Sequence, residues 1–265
     1  MKIKQVLSAL ERFAPLPLQE SWDNAGLQLG LTEAEVSGAL LCLDVNETII
    51  DEAICKGCNL IVSHHPLLFR GLKQISGQDY VQRCVIKAIK HDIVIVSMHT
   101  NMDNAQGGVN FKIAERLGAT VLNGSAAPVL SGSAAKTEKT PLVLAELPTP
   151  MEARAFIELV KNQFNVQCAQ CNALLQRPIK KVAICGGAGD FLLPDAISLG
   201  ADAFITGEMH YHQYFGQEQL IQICVIGHYQ SEQFTSEIFR DIIQKECPGV
   251  KTFIAETNTN PIVYI

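Results

Sequence analysis

Six short apolar runs, Ala39 to Asp44, Leu60 to Ser63, Ile93 to Ser97, Val182 to Cys185, Ala203 to Thr206 and Ile223 to Ile226, are spaced by longer stretches of helical periodicity. That alternation constrains the fold more than any other feature, because apolar strands separated by helices pack as an α/β structure with largely parallel strands. At 265 residues the chain can form one large α/β domain or two smaller ones. Its 48% hydrophobic and 18% charged residues exclude a disordered or coiled-coil protein. The first residues place Ile3, Val6, Leu7, Leu10 and Phe13 on one helical face, an amphipathic helix rather than a signal peptide. No apolar run approaches the roughly 18 to 20 residues of a membrane span, so the chain is expected to be soluble. The segment Asn123 to Thr140, rich in small and polar residues, is expected to be a linker between halves.

The halves match each other. A shift of 143 positions brings Leu41-Cys42 onto Ile184-Cys185, Ala53-Ile54 onto Ala196-Ile197, Gly57 onto Gly200, and Asn59 onto Asp202. A shift of 129 pairs Val96 with Val225, His99 with His228 and Asp103 with Glu232, so HTNMD answers HYQSE. This is the pattern of one duplicated unit, not of a solenoid. We expect two similar α/β domains, the first from residues 1–125 with 226–265 and the second from 126–225.

Six of the seven histidines, His64, His65, His99, His210, His212 and His228, fall at or just after a strand's carboxyl end, and only His91 precedes a strand. Ligand crevices of open parallel sheets lie beyond those ends, so residues far apart in sequence converge there. In SHHP, neighbouring side chains on an extended chain point apart, and Pro66 favours that extension at His65. The pair therefore suits two adjacent ions better than one, although an isolated HH more often marks loop-lining or hydrogen-bonded histidines. Asp103 offers a hard anionic oxygen, but a lone Asp after a strand is more often a helix N-cap. His228 and Glu232 come to one face if a helix starts near Tyr229, where Glu232 could instead simply favour the helix dipole. The equivalence of Asp103 and Glu232 tips the balance towards ligands. A mixed N/O set fits two divalent ions such as zinc, iron, manganese or cobalt.

The net charge of −6 and pI near 5.6 argue against direct nucleic-acid binding. Nine cysteines, several inside apolar runs, read as free thiols in a reducing cytoplasm. The CxxC pairs Cys55/Cys58 and Cys168/Cys171 lie in different halves, which disfavours a shared four-thiolate zinc site.

With SWDNAGLQLG at Ser21 to Gly30, SHHPLLF at Ser63 to Phe69, HTNMD at His99 to Asp103 and GGVN at Gly107 to Asn110, the chain resembles the Nif-three-like family. Bacterial members of that family are often labelled a second type of GTP cyclohydrolase I. CGGAGD at Cys185 to Asp190, ITGEMHYH at Ile205 to His212 and GHYQSE at Gly227 to Glu232 extend the resemblance across nearly the whole chain. It implies two α/β domains facing across a dinuclear metal site, and protomers assembled into a toroidal homohexamer. It also implies that His65 and Asp103 serve one ion, His64 and His228 the other, and Glu232 both. Some relatives insert a further domain between the halves, whereas this chain has the compact form. Relatives more often carry a histidine where Tyr211 stands, so no ligand role is carried over to His210 or His212.

The expected activity is that of a metal-dependent hydrolase, acting by GTP ring opening or on other nucleotides or phosphoesters. His99 would be a general acid or orient a ligand, and Trp22, Asp23 and Asn24 would line the substrate mouth. CGGAGD could cradle an anion or simply make a tight turn. The competing expectation is a non-enzymatic metal-binding adaptor or metal-storage protein.

Overall fold

The computed structural model describes residues 1–122 and 141–265, so the linker expected at Asn123 to Thr140 lies outside the described residues. In chain order the elements begin with α1 (Ile3–Phe13), β1 (Gly26–Leu29), β2 (Ala39–Cys42), α2 (Glu47–Cys55), β3 (Leu60–Ser63), α3 (Tyr80–Lys90), β4 (Val94–Ser97) and α4 (Thr100–Asp103). Next come α5 (Val109–Arg116), β5 (Thr120–Val121), β6 (Val143–Met151), α6 (Ala153–Phe164), β7 (Gln170–Cys171), β8 (Ile179–Cys185), α7 (Leu193–Ser198), β9 (Ala203–Thr206), β10 (Gln222–Val225) and α8 (His228–Glu232). The chain closes with α9 (Thr235–Glu246) and β11 (Thr252–Ile254).

There are two compact units, Met1–Ala105 with Phe234–Pro261, and Gln106–Gln233 with Ile262–Ile265. Against the expected cuts at 125/126 and 225/226, the second unit also takes α5, β5 and α8. Pairing explains part of this difference: β5 is hydrogen-bonded antiparallel to β6, and α5 packs on both β6 and β8.

The first unit holds a sheet in the order β1-β4-β3-β2-β11, with β2, β3, β4 and β11 parallel and β1 antiparallel at the edge. Every residue of β2, β3 and β4 is buried, as expected for parallel strands covered on both faces. Ile49, Ile50 and Ala53 of α2 and Cys84, Val85 and Ala88 of α3 pack against Leu40, Ile61 and Ile95. The amphipathic α1 buries Ile3, Val6, Ala9 and Leu10, while Leu7 and Phe13 are only half-buried.

In the second unit the order is β5-β6-β8-β9-β10-β7, with β8, β9 and β10 parallel and the other three strands antiparallel. Each unit thus runs antiparallel edge, third, second and first parallel strand, through β1-β4-β3-β2 and through β7-β10-β9-β8. The matched residues also do matching work. Gly57 (φ +68°) and Gly200 (φ +69°) turn the chain in the left-handed region that glycine tolerates. Two residues on, Asn59 Oδ1 accepts from Ser37 N at 2.9 Å, and Asp202 Oδ2 accepts from Lys180 N and Lys181 N, each at 2.9 Å.

Burial opposes the charge on Asp202. The two backbone N–H groups and the Arg177 guanidinium outweigh it and hold the carboxyl below its usual range. Replacing Asp202 by Ala should therefore cost about 1–3 kcal/mol at neutral pH, measured by urea denaturation. Because the folded-state pKa is depressed, the wild-type advantage should be full above the ordinary carboxylate range. It should then shrink as pH falls through and below that range.

Candidate metal centre

In the first unit the carboxyl ends of β3 and β4 lie side by side, with Ser63 in register with Ser97. Their hydroxyls are 2.8 Å apart, and each lies within hydrogen-bond reach of the His65 carbonyl, at 2.9 and 3.2 Å. His64 N and His65 N both donate to Leu43 O at the end of β2. The HH segment is therefore fixed by three neighbouring strands before its rings make any contact.

The ring contacts share one logic. His64 Nδ1 is 2.8 Å from Met98 O, His65 Nδ1 is 2.7 Å from Asp44 Oδ1, and His99 Nδ1 is 2.7 Å from Asp23 Oδ1. Carbonyl and carboxylate oxygens only accept, so each Nδ1 carries the proton and a neutral ring keeps its lone pair on Nε2. Metal-ligating histidines are held in this way. One ring nitrogen from each of His64, His65 and His99 falls within a common 4.8 Å, close enough to address one ion. His64 is fully buried, and its Nε2 lies 3.6 Å from Asp103 Oδ1. Asp103 ends α4 and is not its cap.

Asp44 is itself steadied by Thr259 Oγ1, which donates to Oδ2 at 2.8 Å. Asp23 has a fully buried side chain, and its Oδ2 accepts from Thr100 N and Thr100 Oγ1. Burial alone would favour the neutral acid at Asp23. The bonds from His99 and Thr100 outweigh it and bring the carboxyl down to about 2. Asp23 therefore buttresses His99, while its neighbour Trp22 is 59% exposed. The Trp22 ring stands 5.9 Å from Phe69 and 6.0 Å from His99, and Asn24 Nδ2 donates to Leu68 O.

In the second unit the exit of β10 passes through Gly227 (φ +93°) into α8, which begins at His228, one residue earlier than the sequence suggests. One helical turn brings His228 Nε2 to 3.1 Å from Glu232 Oε2. His228 repeats the pattern of the first unit, with Nδ1 2.7 Å from Glu208 Oε1. Glu232 is only 4% exposed, and the glycines of CGGAGD make room for it. A Cβ on Gly187 would lie 2.3 Å from Glu232 Oε1. Gly187 N donates to Ser231 Oγ, and Ser231 Oγ donates to His228 O. A Cβ on Gly207 would meet Gly187 O at 2.6 Å and Ser231 Oγ at 2.8 Å. CGGAGD thus accommodates a carboxylate of its own chain rather than standing open as an anion cradle.

Two donors about 2.0–2.1 Å from a tetrahedral ion stand about 3.3 Å apart. The separations of 3.6 Å for His64/Asp103 and 3.1 Å for His228/Glu232 bracket that spacing. Imidazole with carboxylate suits zinc, iron, manganese or cobalt, so the residues present fit divalent metal. The remaining strand-end histidines have other surroundings. His210 is exposed and paired with Asp190, and His212 stacks edge-on with exposed Tyr211. Neither joins a metal-capable group among the described residues, and neither do the CxxC cysteines. Sequence reasoning missed Asp44, Glu208, Phe69 and the Ser63/Ser97 pair. Glu208 carried a faint signal, since the 143-residue shift sets it opposite His65.

The sequence profile of the Duf34/NIF3 (NGG1p interacting factor 3) family matches residues 1–261. A Clostridium perfringens protein named GTP cyclohydrolase 1 type 2 homolog is 36% identical over 233 residues, spanning 88% of this chain and 87% of its own. A Streptococcus pneumoniae protein of the same name is 30% identical and aligns over all of both chains. Among solved structures, Staphylococcus aureus protein SA1388 superimposes with a TM-score of 0.88 at 26% identity, over 100% of this chain and 99% of its own. A Bacillus cereus protein related to NIF3 shares the fold, with a TM-score of 0.84 at 24% identity over 100% and 99% of the two chains.

Gly187→Ala, which sets a Cβ 2.3 Å from Glu232 Oε1 at a left-handed position (φ +61°), should push the Glu232 carboxylate aside and weaken metal retention, at some cost in stability. Asp44→Ala and Glu208→Ala, which free His65 and His228 to rotate, should each weaken it about 10–100-fold. Competition with a chelating dye reads all three, and wild-type affinity in Gly187→Ala would show that Glu232 does not bind metal from this position.

Proposed function

We propose that this chain, which belongs to the Duf34/NIF3 family, is a metal-dependent hydrolase that binds a pair of divalent ions and acts on a nucleotide or another phosphoester. The observation that carries this reading is the shared posture of His64, His65, His99 and His228. In each, Nδ1 is engaged by a carbonyl or carboxylate, the way metal-ligating histidines are oriented. The ligand set is His64, His65 and Asp103 from the first unit with His228 and Glu232 from the second. The division comes from the family resemblance: His65 and Asp103 on one ion, His64 and His228 on the other, Glu232 on both. The similar strand order and matched turns of the two sheets support a duplicated unit, each copy contributing histidine and carboxylate.

When bound, such ions lower the pKa of water and polarise an electrophile. The chain's own groups do the rest. His99, pinned through Nδ1 by Asp23, can hold a proton on Nε2 and release it to a leaving group. Because the Asp23 carboxyl is held down to about 2, it stays ionised at any working pH and keeps His99 oriented. Trp22 and Phe69, both exposed and both within 6.2 Å of His99, offer faces on which a planar base can stack. Asn24, beside them in sequence, belongs to the same proposed mouth. The name shared by the relatives, GTP cyclohydrolase 1 type 2 homolog, supports a nucleotide-related substrate.

Elemental analysis of reconstituted protein should find about two ions per chain, given two ligand sets. His65→Ala and Glu232→Ala should lose metal and any turnover of GTP or phosphoesters together. Two bound ions with no turnover across that panel would replace hydrolysis with metal storage or an adaptor role. The ring of six implied by the resemblance predicts that light scattering gives the mass of six 28.9 kDa chains. A monomer or dimer would dismiss it.

A further inference from the structure

In the second unit the edge strand β7 lies antiparallel on β10, with Cys171 directly opposite Cys224. Opposed residues of an antiparallel pair have Cα atoms about 4.5 or 5.5 Å apart, within the roughly 4.4–6.8 Å that a disulfide spans. This register is clamped. Asn172 Oδ1 accepts from Ile223 N at 2.9 Å, and Asn172 Nδ2 donates to Ile221 O at 2.8 Å, so the residue after Cys171 grips the strand on the near side of Cys224. Both cysteines are free thiols. Cys224 is fully buried, while Cys171 is partly exposed.

The two thiols are not equivalent. A hydrogen bond from Cys224 lowers the Cys171 pKa, burial opposes this, and Lys161 adds to the lowering. The same bond, with burial and the charge of Cys171, drives Cys224 well above its usual range. The exposed partner is therefore the better thiolate. Beside them Tyr214 buries a hydroxyl that has no hydrogen-bond partner among the described residues. Burial, with the two thiols adding to it, pushes that phenol up to about 12.

We propose that Cys171 and Cys224 are a peroxide-sensitive thiol pair that oxidises to a cross-strand disulfide. The Cys171 thiolate attacks one oxygen of a hydroperoxide, the O–O bond breaks, and the other oxygen leaves as water or alcohol after protonation. Cys171 is then a sulfenic acid. The Cys224 sulfur attacks the Cys171 sulfur, the S–O bond breaks, and hydroxide leaves with the Cys224 proton as water. Two thiols are oxidised and one peroxide is reduced. The new bond would tie the edge strand to β10, four residues before His228.

The test uses the full chain, treated with hydrogen peroxide, alkylated and mapped by mass spectrometry without reduction. The expected result is loss of two free thiols per chain, a cross-linked peptide joining Cys171 to Cys224, and full reversal by dithiothreitol. Cys168→Ser should leave that cross-link in place. Cys224→Ser should leave a sulfenic acid on Cys171 that a cyclic diketone traps. A wild-type map showing Cys168 joined to Cys171, or Cys171 and Cys224 both still reduced while other thiols are oxidised, would overturn the proposal without recourse to any variant.

Discussion

A neutral imidazole has one lone pair, and the hydrogen bond made by one ring nitrogen decides which nitrogen carries it. That choice has been made in the same way for three histidines of the first unit and one of the second. Met98 O, Asp44, Asp23 and Glu208 each take an Nδ1 proton, and each belongs to a different segment of the chain. None of these acceptors needs to touch a ligand. They fix tautomer and ring angle, and without them histidines at strand ends would be mobile bases.

The acceptors can be placed so because the strand ends are placed first. β2, β3 and β4 are four-residue runs with no exposed position, and their parallel register puts Ser63 beside Ser97. The backbone of the HH segment is bonded to Leu43, beyond the end of β2, so it cannot slide without breaking main-chain bonds. In the second unit close packing acts together with the Ser231 hydrogen bonds. Gly187 and Gly207 let the Ser231 and Glu232 turn sit where any side chain would collide with it. Rigid placement by two different means yields an imidazole beside a carboxylate in each unit.

This explains what could be read from the sequence. Six of the seven parallel strands were legible because burial on both faces leaves an unbroken apolar run, as in LIVS and AFIT. β6 was not, since VLAELPTPM carries two prolines, which argue against a strand. β7 and β11 are too short for any period to show. The candidate ligands stood out because histidines and acids cluster at the carboxyl ends of the strands in the sequence. Their supporting acceptors did not. Asp44 and Glu208 are ordinary acids in ordinary loops until the fold shows which ring each one faces. Asp23 lay within a legible motif, yet its fully buried side chain serves His99 and Thr100.

The cysteines show the same limit from the other direction. Sequence spacing draws attention to Cys168 and Cys171, three residues apart, whereas the sheet pairs Cys171 with Cys224, fifty-three residues further on. Cys168 lies before β7 and Cys171 within it, so their spacing in sequence is not that of a helical turn, which would bring two thiols together. Cross-strand register does, and here the Asn172 amide, bonded to the main chain at Ile221 and Ile223, holds it. A thiol pair is therefore defined by what fixes two strands against each other. The same condition governs the histidines, whose chemistry depends on the strand ends and acceptors that hold them.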